Sequence, residues 1–135
     1  MAVLKVGVTV ANAMLDQFET TIGVTPIIRI RSGAQPATCA TADSGTVLAT
    51  INLPSDWMAA AASGSKAKSG TWQDASADAT GTPGHYRLYD SAGTTCHEQG
   101  DITITAGGGA MELDSLSLTA AQVFTITAYT RTLPV

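Results

Sequence analysis

HYRLYDSAGTTCHEQGDITITA (85–106) holds two runs of alternating polarity around Ser91-Ala92-Gly93, with glycine where a short hairpin loop wants a left-handed residue. HYRLYD (85–90) and TTCHEQ (94–99) are therefore the predicted arms of a hairpin, and DITITA (101–106) reads as a further strand. Counting outward from the loop pairs Asp90 with Thr94, Tyr89 with Thr95 and His85 with Gln99. A period of two means that each strand offers one face to a core and the other to something wetter.

The same alternation recurs on both sides. PIIRIRS (26–32) sets Ile28 and Ile30 against Arg29 and Arg31; TVLATINLP (46–54) alternates Val47, Ala49, Ile51 and Leu53. A short strand is expected near Thr71 and Trp72, another in AMELDSLSL (110–118), and a long last one in AQVFTITAYTRTL (121–133). Residues 32–45 read as a loop, GGG (107–109) as a flexible turn, and SDWMAAAASG (55–64) as one or two helical turns capped by Ser55. One longer helix is predicted over residues 9–22, where Val10, Met14, Phe18 and Ile22 recur every fourth position with Ala11 and Leu15 beside them. Thr9 is its expected N-cap and Gly23 its stop, with Pro26 preventing continuation. The expected class is all-β, a sandwich or jelly-roll-like single domain over residues 1–135 with one short N-terminal helix.

Composition narrows the function. Charged residues make up 13% of the chain against about 25% in an ordinary soluble domain. β-Proteins usually guard their edges with Lys and Glu, and this chain has three lysines, Lys5, Lys66 and Lys68. Either much of its surface lies against other protein, or a Thr/Ser-rich sandwich simply tolerates low charge. A net charge of −4 with scattered arginines argues against nucleic acid or an anionic membrane as partner. No stretch approaches the roughly 20 apolar residues that span a bilayer. MAVLKVGVTVANAMLDQF (1–18) lacks the long apolar run and small-residue cleavage site of a secretory signal, so synthesis in a cytoplasm is expected. In such a compartment Cys39 and Cys96 are expected to be free thiols, with a disulfide between them as the alternative, and no CxxC pair suggests zinc or redox chemistry.

Catalytic constellations are missing from the sequence. Cys96 and His97 are neighbours on a strand and face opposite ways, and His85 is not the cross-strand partner of Cys96. The two histidines lack metal-ligand spacing and are expected to be exposed or half-exposed; Asp74 and Asp78 lack the dense oxygen pattern of a calcium loop. No enzyme activity and no cofactor are expected. Trp57 and Trp72 raise a carbohydrate-binding module as an alternative, if their rings are exposed. Arg29 and Arg31, opposite the isoleucines, are the candidate partner contacts, with a solvated face as the plainer explanation.

NAMLD (12–16), SGAQPATCATADSGTVLATINLPSDW (32–57), SGTW (69–72), ATGTPGHYRLYDSAGTTCHEQGDI (79–102) and TITAYTRT (125–132) together resemble small virion proteins of tailed bacteriophages. Within that group the chain looks most like the capsid cement, or decoration, proteins of podovirus-type heads. The resemblance implies a jelly-roll-like fold, a location on the outer surface of the capsid, self-association as a homodimer or homotrimer, and clamping of the major capsid protein. It implies no catalytic residue. A tail or fibre component that recognises a host ligand is the alternative within the same resemblance.

Overall fold

Helix α1 (Val8–Ile22) is the first element of the computed structural model, which describes residues 3–135. It starts one residue before the predicted Thr9 cap: Gly7 takes the cap position in extended geometry, and its carbonyl accepts the Ala11 N–H at 2.9 Å. Gly23 ends the helix as expected, at φ +90°, a conformation that strains an L side chain.

The buried face of α1 differs from the predicted stripe. Ala11, Leu15 and Ile22 are buried and Phe18 is half-buried, whereas Val10 and Met14 are each 53% exposed. Successive helical residues turn by about 100°, so a strict every-fourth series drifts about 40° per step. Val10 thus lies far round the helix from Ile22, while the 11-15-18-22 series stays within a narrow arc. The core takes the narrow arc.

Nine strands follow. β1 (Ile27–Ser32), β2 (Val47–Asn52), β5 (Pro83–Tyr89), β6 (Cys96–Ile104) and β7 (Met111–Leu113) form one sheet in the order β2-β1-β5-β6-β7. β3 (Ser65–Ala67) pairs with β9 (Thr130–Thr132), and β4 (Trp72–Asp74) with β8 (Phe124–Ile126). The chain is all-β with one short helix, built from one five-stranded sheet and two two-stranded ribbons. Ile28, Ile30, Ile51, Tyr86, Leu88 and Ile102 of the sheet share one core cluster with Trp57, Trp72, Ile126 and Tyr129.

Three local expectations give way to tertiary pairing. Residues 55–64 form no helix; Met58 bridges Lys68, and the Ala59 and Ala62 amides bond back to Ala67 and Ser65. The expected last strand is two, because β8 and β9 pair with different partners and only Tyr129 between them turns into the core. DITITA is no separate strand but the continuation of β6.

The hairpin exists with a different register. The Asp90 carboxylate accepts the Thr94 and Thr95 amides, and Asp90 N–H bonds Thr95 O, so the loop is one residue longer than read. A bulge then separates Tyr89↔Cys96 from Leu88↔Glu98, and His85 pairs with Asp101 where Gln99 was expected. Two one-residue shifts preserve the parity of β6 beyond the bulge, so Gly100 and Ile102 still face inward. Before the bulge the parity is reversed, and Cys96 joins Tyr89 on the outer face.

The glycine run at 107–109 lets β7 lie parallel to β6 at a spacing of only nine residues, Ile102 opposite Met111. A side chain at Gly107 or Gly109 would stand 2.7–2.8 Å from Thr103 atoms, and Gly108 sits at φ +80°. Glu112 holds the turn by accepting the Ala106 and Gly108 amides. The predicted flexible turn is a bonded one.

Candidate functional site

The outer face of the sheet carries the side chains that the sequence marks as reactive or partner-seeking. It is not a solvated face. Loop 33–45 folds over it, and Asp43 is the pivot: its carboxylate meets Arg31 at 2.7 Å, Arg87, and the Tyr89 hydroxyl at 2.6 Å. Arg87 Nη2 also donates to the carbonyls of Thr38, Cys39 and Thr41, at 3.2, 2.8 and 3.1 Å. Arg31 reaches the Ser44 and Gly45 carbonyls, and Gln99 the Pro36 carbonyl. Burial pushes the Asp43 carboxyl up, but the Tyr89 hydroxyl and the two guanidiniums outweigh it and hold it below its usual value.

Arg31 is therefore buried and internally paired, which corrects its reading as a candidate contact on an open face. Arg29 is half-buried, stacked over the Tyr89 ring at 4.7 Å with a bond to Gly93 O. His85, expected at least half-exposed, is completely buried with Nδ1 against Gly33 O at 2.9 Å; its Nε2 has no partner. His97 is half-buried on the other side of the sheet, beside Gln17 and Phe18 of α1.

The face brings together one pair that the sequence keeps apart. Cys39 Sγ and Cys96 Sγ, both reduced, lie 2.9 Å from each other. Burial and the neighbouring thiol push Cys96 up to about 12. A nucleophilic cysteine needs the opposite shift, so Cys96 carries almost no thiolate at neutral pH.

A second polar cluster lies inside. Glu98, on the core face of β6, accepts the hydroxyls of Tyr86 and Tyr129 and pairs with Arg131. Above it runs a chain of rings, Phe18–Trp57–Trp72–Tyr129–Tyr86, with centroids 5.2–6.4 Å apart. Trp57 and Trp72 are fully buried and donate to Gly23 O and Ser69 O, so neither offers a face to a sugar ring. Asp74 and Asp78 both serve Thr50, through its amide and its hydroxyl. Among the described residues no three His, Cys, Asp or Glu side chains converge on a metal-sized point, and no helix is long and apolar enough to cross a membrane.

These contacts use up the positive charge. Lys66, 2% exposed, binds Asp16 at 2.6 Å and Glu19 at 2.8 Å and ties β3 to α1. Lys68 sits over Trp72. Of the seven basic residues only Lys5 has no recorded partner among the described residues, while Asp56, Asp74, Asp78, Asp90, Asp101, Glu112 and Asp114 lack a cation. Besides these carboxylates, nine large apolar side chains are open among the described residues: Val3, Leu4, Val8, Val10 and Met14 near the N-terminus, 47–82% exposed, and Val24, Ile104, Val123 and Val135 elsewhere; Val10 and Met14 line a shallow groove with Thr9, Ala13 and Gln17. The every-fourth series placed Val10 and Met14 on the buried face, whereas both are open.

Comparison with protein-family models, with curated proteins and with solved structures finds no match for this chain.

Proposed function

We propose that this chain is a virion structural protein that decorates the outside of a tailed-phage head and cements it by binding the major capsid protein and further copies of itself. The phage resemblance in the sequence motivates the reading. The observation that carries it physically is the uncovered apolar groove of α1 around Val10 and Met14, on a body whose cations are nearly all engaged internally. Apolar side chains rimmed by uncharged polar ones suit a protein partner, and a surface of unpaired carboxylates repels polyanions.

A standard interface takes about 800 Å² from each partner, a small part of the 6936 Å² this molecule exposes. Room therefore remains for both a capsid contact and a self-contact. Cementing then works by linkage: a ligand that binds only the assembled lattice stabilises it by RT ln(1 + [L]/Kd) per site, and an oligomer adds avidity.

The direct test strips this protein from purified particles and heats both forms. Depleted heads are expected to open at lower temperature and under milder osmotic shock; equal stability would overturn the proposal. Copies per particle discriminate further, since many are expected on a head and a handful would favour a tail component. At residue level, V10E together with M14E is expected to leave the Tm within about 2 °C, because both sites are open. The same pair of changes is expected to weaken rebinding to depleted heads by at least about tenfold. Wild-type rebinding by the double variant would remove the α1 flank from the interface.

A further inference from the structure

We infer that Cys39 and Cys96 are a built modification site: they close to an intramolecular disulfide that staples loop 33–45 onto the outer face of the sheet. Three observations converge. The two sulfurs, 57 residues apart in sequence, approach to 2.9 Å. The backbone on each side is fixed independently of them: Arg87 grips the carbonyls of Thr38, Cys39 and Thr41, and the β-bulge after Cys96 turns that residue outward, opposite Tyr89. Both cysteines are half-buried, so a small reagent still reaches them.

The oxidant is a low-molecular-weight disulfide, RSSR. One cysteine thiolate attacks it, forming a protein mixed disulfide and releasing RS⁻. The second cysteine, already beside the first, attacks the protein sulfur of that adduct and expels the second RS⁻. Both protons end on the released thiols, so two protein thiols and RSSR give one protein disulfide and two RSH. Proximity drives the second step, which is why it outruns accumulation of the adduct even though Cys96 holds its proton tightly. A chain made reduced in a cytoplasm thus acquires its staple on meeting an oxidising exterior.

The bond closes a long loop of chain, the case in which a cross-link most restricts the unfolded ensemble. It also pins the lid over Arg31, Arg87 and His85. The experiment incubates the purified full-length protein, folded, with oxidised glutathione, then denatures it and alkylates free thiols. The expected product is a monomer lighter by two hydrogens, with no alkylatable thiol and a Tm higher by roughly 5–10 °C, reversed by reductant. Loop 33–45 should also resist limited proteolysis better when oxidised. C39S and C96S should each lack the internal bond and show no reductant-dependent Tm. A persistent glutathione adduct on the wild type, two surviving thiols, or linkage between chains would overturn the inference. An internal bond without any rise in Tm would overturn the stapling role. The decisive readings come from the wild type, so a variant that fails to fold leaves the test intact.

Discussion

D43A is expected to cost about 3 kcal/mol of folding stability, seen as a fall in Tm of roughly 10 °C. The Asp43 side chain is 36% exposed, yet its two guanidinium partners are only 8% and 2% exposed. The Nε atoms of Arg31 and Arg87 are already buried without a partner. Removing the carboxylate leaves two buried cations facing each other with only backbone carbonyls for compensation. Breaking a buried pair this way costs about 3–5 kcal/mol, and water entering from the exposed side of Asp43 places the expectation at the lower end. D43N keeps the acceptor for Tyr89 but not the charge, and should fall between. The double variant D43A/R87M should be less than additive, because the second change removes one of the stranded cations. A D43A protein melting within about 2 °C of wild type would mean that loop 33–45 is not held by this pivot.

The same group contributes to the acid side of the stability curve, together with Asp16, Asp90 and Glu112, whose carboxyls are also held below their usual values. The native Asp43 carboxyl binds a proton more weakly than in the unfolded chain, so its contribution is present above about pH 4 and disappears as pH falls through the lowered native value. D43N should therefore lose less stability than wild type on going below pH 4.

The clamp on the outer face explains why part of this molecule was legible in the sequence and part was not. Alternation in PIIRIRS placed Ile28 and Ile30 in the core and the arginines opposite, which is correct. It could not tell whether the opposite face meets water or protein, because that depends on Asp43, twelve residues beyond Arg31 in a loop with no periodicity. The helix was evident from its apolar spacing, while its buried arc was ambiguous between two overlapping series, and only packing against β3 and Trp57 decides between them. The alanine-rich 55–64 segment has helix propensity, overridden because Trp57 and Met58 must enter the core while the alanine amides pair with the chain at 65–67. The thiol pair was hidden twice: by its long separation, and by a bulge that reverses the face of Cys96 with no glycine to announce it. Locally encoded elements were readable; whatever depends on a distant charge or a register shift was not.

Stability should fall cooperatively on the alkaline side, starting above about pH 10, where unfolded phenols ionise. All three tyrosines are raised above the usual phenol value. Burial is the main cause for each, assisted at Tyr129 by its neighbour Tyr86 and at Tyr89 by the Asp43 carboxylate. Unfolded phenols ionise near pH 10. Above that point the unfolded chain releases protons that the native chain retains, so stability is complete below about pH 10 and falls as pH rises toward the native values. Each pH unit above that point costs about 1.4 kcal/mol for every phenol that stays protonated in the native chain. Phenolate absorbance should stay near its baseline past pH 10, then rise in one step together with loss of the far-ultraviolet circular dichroism signal. Y129F removes one retained proton and one hydroxyl donor to Glu98, so its transition should be shallower as well as shifted. If phenolate absorbance instead climbed smoothly around pH 10 while the circular dichroism held, the Tyr86–Glu98–Tyr129 cluster would be open to hydroxide. The ring chain from Phe18 to Tyr86 would then not seal the core as its packing requires.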